Sequence, residues 1–353
     1  MRTPQILTAI LTALVVSQSV ASEVNVYSAR QDSLITPLLD RFSASTGIKV
    51  NLITGKADEL LSRMKAEGPA TPADVFVTVD AGRLHRAKEA GVLAAIENAT
   101  LSAKIPENLR DVDRQWFGLT VRARPIFYAK DRVNPSELST YEALVDDQWK
   151  RRICIRSSSN IYNQSLVASM LEASGEDATL QWAEGLVANL ARKPTGGDTD
   201  QLRAVAAGQC DVAIANTYYF GRLIDSNKPE DREVVSKLGV FWPNQGDRGA
   251  HVNISAIAVT KYGKHPAEAV RLLEYMVSDD AQAYYAEINH EYPVVPGVPS
   301  SPTIASLGQF KSDALNLSLN RIYKRLRAAV QDWNFATFDL NQCIINTCTD
   351  KSG

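Results

Sequence analysis

Three tyrosines carry most of the chemical content of this sequence. Tyr218 and Tyr219 follow the strand-like run Cys210-Asp211-Val212-Ala213-Ile214-Ala215, and Asn216 or Thr217 stands where a helix cap is needed. Tyr162 follows a second strand-like run, 152–157, across the polar loop Ser157-Ser158-Ser159-Asn160. All three therefore sit just past strand ends, at helix starts, on one edge of one sheet. Neighbours in a strand point to opposite faces. Neighbours at a helix start are only about 100° apart, so both members of the pair can line one cleft. A phenol keeps its proton up to a pH of about 10, but a trivalent cation close by inverts that preference. Phenolate is a hard oxygen donor, and tyrosine ligates haem iron in some proteins. Iron(III) suits such a cluster; copper(I) and zinc, which favour sulfur or imidazole, do not. Packing or a sugar-stacking platform are the other readings of a tyrosine pair, and spacing alone leaves them open.

The elements that must position these residues are legible from pattern. Val24 and Val26 alternate in a first strand. Leu34, Ile35, Leu38, Leu39 and Phe42 recur at helical spacing, and Gly47 ends the run. A strand over 48–53, a helix over 57–67 and a strand over 72–79 complete one α/β unit. A second series has a strand at 152–157, helices over 162–173, 182–191 and 199–207, a strand at 211–215 and a helix from Tyr218. Residues 116–128 read as the crossing between the units, and 251–260 as a strand carrying the chain back. The last segment is helical, with Leu319, Ile322, Leu326 and Val330 on its apolar face. The expectation is a two-lobed α/β protein, each lobe a mainly parallel sheet flanked by helices, with its ligand in the cleft beyond the strand ends. The expected division is 1–21 as a signal peptide, 22–122 with 247–297 as the N-terminal lobe, and 123–246 with 298–353 as the C-terminal lobe.

The remaining features bound the function. Arg2, the apolar stretch 6–16 and the small residues Ser19-Val20-Ala21 form an export signal, with the mature chain starting near Ser22. The expected location is the periplasm. Four cysteines suit an oxidising compartment. Neighbouring parallel strands could bring Cys154 and Cys210 together, and Cys343 and Cys348 could close a small loop. The 38 basic and 40 acidic residues nearly cancel, which argues against nucleic acid as a partner. A monomer is expected. No Gly-x-Ser-x-Gly elbow is present and no serine has a recognisable histidine partner, so a serine hydrolase is not expected. The histidines His85, His251, His265 and His290 are scattered, and surface or structural roles are expected for them.

Several segments together carry a resemblance. They include Val26-Tyr27-Ser28-Ala29-Arg30-Gln31, Pro72-Ala73-Asp74-Val75, Gln115-Trp116-Phe117-Gly118-Leu119 and Arg122-Ala123-Arg124. Cys154-Ile155-Arg156-Ser157, Tyr162-Asn163-Gln164-Ser165-Leu166, Asn216-Thr217-Tyr218-Tyr219, His251-Val252-Asn253-Ile254-Ser255 and His290-Glu291-Tyr292-Pro293-Val294 continue it. Over nearly all of its mature length the chain resembles the periplasmic ferric-iron-binding proteins of bacteria and cyanobacteria, which have the type II periplasmic binding fold. The resemblance implies iron ligation by Tyr162, Tyr218 and Tyr219. Many members add a His-Tyr pair from the first lobe; here Gln31 and Asp32 stand in those places. The chain is similar to the subgroup in which carbonate, bicarbonate or another small anion completes the coordination. By that resemblance Arg122 is the first candidate to hold the anion and Arg124 the second. Arg30 and Gln31 are expected to support the ligands, and Asp32 is the alternative direct ligand. The implied partner is an ABC-type ferric iron permease in the inner membrane. Phosphate is the alternative solute, because Ser157-Ser158-Ser159-Asn160 at a helix start could cradle it.

Overall fold

The computed structural model describes residues 22–313. The signal segment, Cys343, Cys348 and the apolar helix expected near 319–330 lie outside the described residues.

The chain opens with β1 (Glu23–Ser28), α1 (Asp32–Thr46), β2 (Lys49–Thr54), α2 (Ala57–Glu67) and β3 (Val75–Val79). In α1 the helical spacing read from sequence buries Ile35, Leu38, Leu39 and Phe42. Gly47 stops the helix in the left-handed region at φ 71°, where its amide bonds the Ser43 carbonyl. Next come α3 (Ala81–Glu89), α4 (Ala99–Lys104) and β4 (Phe117–Ala123). The chain then passes through Arg124 and Pro125 into β5 (Ile126–Ala129), which belongs to a second sheet. There it forms β6 (Ile153–Cys154), α5 (Ile161–Ser174), α6 (Glu176–Ala188), α7 (Asp198–Ala206), β7 (Val212–Ile214), α8 (Thr217–Ile224), α9 (Pro229–Lys237) and β8 (Leu238–Phe241). It returns with β9 (Val252–Val259), α10 (Pro266–Met276), α11 (Asp279–Asn289), β10 (Tyr292–Pro293) and α12 (Pro302–Ala305).

The first sheet runs β10-β4-β9-β3-β1-β2 and the second β6-β7-β5-β8. Helices flank both sheets, and each has apolar clusters around it. The expected parallel pairing holds for β1 with β2 and β3, and for β6 with β7. The pairings of β9 with β3 and β4, of β10 with β4, and of β5 with β7 and β8 are antiparallel. The sheets are therefore mixed rather than mainly parallel. The reason lies in the crossings: β5 and β9, the strands by which the chain enters a lobe, run against the direction of its βα units. β9 is buried along its whole length, as a central strand covered on both faces must be. Its apolar run gave no sign of its direction.

Cys154 and Cys210 form a disulfide in the second lobe. The two lobes also touch. Ile161 and Ala168 of α5 pack into an apolar cluster with Leu84, Trp116 and Ile254 of the first lobe. The Ser165 hydroxyl donates to the Asp80 carboxylate at 2.8 Å across the same contact.

Asp74, in the Pro72-Ala73-Asp74-Val75 segment, is structural. Its wholly buried carboxylate accepts from the amides of Asn25, Lys264 and His265, from the Asn25 side chain, and pairs with the His265 ring. Burial alone pushes its pKa up, but the Asn25 amide and the His265 ring and amide outweigh burial and hold it below the ordinary 3.8. A depressed carboxylate contributes stability above its unfolded pKa and loses it as pH falls through the folded value. Asp74→Asn should therefore cost about 2–3 kcal/mol at neutral pH, the worth of charged hydrogen bonds. The deficit should shrink below the ordinary carboxylate pKa, where wild type loses the same charge. Denaturant titration at pH 7 and pH 3 checks this; an equal deficit at both contradicts it.

Candidate metal centre

The three tyrosines meet. Asn160 caps α5 by accepting from the Tyr162 amide at 3.0 Å, which sets Tyr162 in the first turn. Tyr218 and Tyr219 occupy the first turn of α8 after Asn216. The Tyr218 hydroxyl donates to the Tyr162 hydroxyl at 3.1 Å. The Tyr218 and Tyr219 rings lie 4.3 Å apart at 34°. With Arg222 these side chains form one wall of a cavity of about 150 Å³, and Arg30, Gln31 and Glu291 form the other. That volume is below the ~300–1,000 Å³ typical of drug-sized ligands. It suits an ion with a compact companion better than a sugar on a stacking platform.

The electrostatics favour the protonated form of Tyr218 and Tyr219. Burial pushes the Tyr218 phenol well above its ordinary 10.0, and the Tyr162 and Tyr219 oxygens push it further. Burial, then Tyr162 and Asp198, raise Tyr219 as well. Cations ring the phenols. The Arg222 guanidinium lies 5.1 Å from the Tyr218 ring centre and 5.8 Å from that of Tyr219. The Tyr162 ring lies between Arg122, at 5.7 Å, and Arg156, at 5.3 Å. α8 can come close to the first lobe only because Gly221 lacks a side chain: a Cβ there would lie 2.8 Å from that of His290.

The two arginines of the Arg122-Ala123-Arg124 segment have different surroundings. Both are buried. Arg124 gives its terminal nitrogens to Asp198, Asn216, Asn163 and the Ile214 carbonyl. Those contacts engage both terminal nitrogens of Arg124 and leave only its Nε without a protein acceptor among the described residues, which favours Arg122 over Arg124 as the anion's holder. Arg122 donates one nitrogen to Ser255 at 3.0 Å, while its Nε and Nη2 find no protein acceptor among the described residues. A guanidinium edge with two open donors fits a bidentate oxyanion.

The first-lobe candidates are also placed. Arg30 pairs with Glu291 at 3.1 Å and donates to Ser255 at 2.6 Å. Burial alone raises the Glu291 carboxyl, but Arg30 and Arg122, with the Thr120 hydroxyl, hold it below the ordinary value. Arg30 thus shapes the first-lobe wall through Glu291. Gln31 is exposed at the cavity edge. Asp32 is the exposed first residue of α1, where a carboxylate complements the helix dipole, and it does not line the cavity. The serine loop is occupied with itself: Ser157 and Ser159 bond each other at 2.9 Å and Asn160 serves the Tyr162 amide.

Sequence reading missed Arg156 and Asp198. Nothing in the Cys154-Ile155-Arg156-Ser157 segment sets Arg156 apart, and nothing local shows that Asp198 meets Arg124, 74 residues away. Arg222 is half-buried at the cavity wall. The histidines have structural places. His251 and His290 are buried, and His265 is tied to Asp74.

Comparison with known proteins places this architecture. The family model described as bacterial extracellular solute-binding protein matches residues 38–312. The chain belongs to that family. This solute-binding protein is not an enzyme, and the likeness to ferric-iron-binding proteins extends to its relatives. It is 52% identical over 295 residues to iron uptake protein A1 of Synechocystis, covering 84% of this chain and 82% of that one. It is 29% identical over 314 residues to the Fe(3+)-binding periplasmic protein of Serratia marcescens, covering 86% and 89%. Among solved structures, Trichodesmium IdiA (FutA) in complex with iron and citrate matches with a TM-score of 0.86 and 50% identity, over 89% of this chain and 99% of that one.

Proposed function

We propose that this solute-binding protein takes iron(III) as its cargo, held by the phenolates of Tyr162, Tyr218 and Tyr219. A carbonate-type anion on Arg122 completes the coordination, and the loaded protein delivers the iron from the periplasm to an ABC-type ferric iron permease. The observation that carries this reading is the convergence of the three phenols on one cavity, with Tyr218 and Tyr162 oxygens 3.1 Å apart. Three phenolates cancel the charge of a trivalent ion and leave positions that a bidentate oxyanion can fill. Phosphate in the serine loop is the weaker reading, because that loop's polar groups are already partnered.

Ferric iron added with bicarbonate to the purified protein should give a visible tyrosinate-to-iron charge-transfer band that saturates at one iron per chain. A colourless protein that instead binds inorganic phosphate would sink the reading. Arg122→Ala tests the anion. It removes two charge-assisted hydrogen bonds, worth about 1.5–3 kcal/mol in typical cases. Iron affinity in bicarbonate should fall by roughly tenfold to a hundredfold. Without any small anion, wild type and variant should bind alike; a variant whose affinity still rises with bicarbonate contradicts the assignment.

A further inference from the structure

Asp198 and Arg156 lie behind the tyrosines and belong to neither the ligand set nor the anion site. The Asp198 side chain is wholly buried at the first turn of α7. One carboxylate oxygen accepts from Arg124 at 2.9 Å and from the Asn216 amide at 2.8 Å, just before α8. The other accepts from Arg156 at 3.3 Å. The Arg156 guanidinium lies over the Tyr162 ring, 5.3 Å from its centre. Arg124 continues to the Asn163 side chain at 2.6 Å, beside Tyr162. One carboxylate therefore ties together the loop before α8, the loop before α5 and the crossing between the lobes.

We propose that Asp198 is the positioning residue of the tyrosine cluster and that Arg156, which it holds, tunes the phenolate oxygens. The proposal rests on the ferric reading above. Its physical content is directional. A guanidinium held over a phenolate ring draws electron density away from its oxygen. The oxygen then gives less to the metal, and the charge-transfer transition lies at higher energy. A planar guanidinium pinned by a carboxylate stacks over that ring in a fixed geometry, which a lysine ammonium cannot reproduce. Asp198 also supplies the counter-charge without which two buried guanidinium groups would repel each other.

The test uses the full mature chain loaded with ferric iron and bicarbonate. Arg156→Gln should move the charge-transfer maximum to longer wavelength. It should also weaken iron binding, measured by chelator competition, by roughly tenfold to a hundredfold, the usual cost of losing a group that supports a metal ligand. The melting midpoint of the iron-free protein should change little. Arg156→Lys should recover part of the affinity but not the band position. Asp198→Asn should shift the band the same way and also lower the iron-free midpoint, because Arg124 loses its partner; if it does not fold, Arg156→Gln still decides. A coloured wild type beside an Arg156→Gln protein with unmoved band overturns this proposal alone, whatever its affinity. A wild type that takes no ferric colour overturns the ferric reading and this proposal with it.

Discussion

The Tyr218→Phe, Tyr219→Phe double variant should lose the ferric charge-transfer band entirely and bind iron at least about a hundredfold more weakly, since removing mere supporters of a ligand already costs roughly 10–100-fold. The substitution is sparing elsewhere. Phenylalanine keeps the ring that fills each site, so the packing of the two rings on each other persists. Among the described residues, the hydrogen bond it breaks is the one from Tyr218 to Tyr162. Leaving one partly buried hydroxyl at Tyr162 without that donor costs about 1 kcal/mol, which a folded protein tolerates. Circular dichroism and a thermal melt of the iron-free variant should match wild type, which separates lost chemistry from lost fold. Single variants should be graded: each removes one anionic oxygen and leaves the ion under-neutralised. A persistent band in the double variant would mean that other oxygen donors make the colour.

Removing the Cys154–Cys210 disulfide is the change with the largest expected effect on stability. The bond closes a loop of sequence separation 56. In the chain-entropy account such a loop restricts the unfolded chain by about 4 kcal/mol. For a chain of this size that corresponds to a melting midpoint lower by roughly 6 °C. Both sulfurs are buried, so the Cys154→Ser, Cys210→Ser protein also places two hydroxyls in an apolar cluster with Phe127 and Leu202. The same bond stands two residues before Arg156, so the iron-loaded form should recover part of the loss through cargo binding. Scanning calorimetry of both forms measures this; an unchanged midpoint after verified loss of the bond would contradict the entropy argument.

Local chemistry was the legible part of this sequence. α1 could be read because its apolar residues recur at helical spacing and Gly47 marks the stop. The tyrosines could be read because a strand followed by a polar loop and a cap fixes where the next side chains lie. The strand expected over 152–157 is only two residues long, Ile153–Cys154. Sheet direction was not legible: β9 has the same apolar run whether it pairs parallel or antiparallel. Nor was the partnership of Arg30 with Glu291, whose members lie 261 residues apart. Arg122 and Arg124 look alike in sequence, yet two positions along one chain segment bring one to an open edge and the other to Asp198. Charge pairs of long separation follow from the fold rather than from any neighbour in the chain.

All three phenols stand on α5 and α8, which grow from the second sheet. On the ferric reading, the phenolate-to-iron bonds would therefore survive any movement of the opposite wall. Unloading would then need an agent that attacks those bonds themselves, such as protons, an electron or a competing chelator.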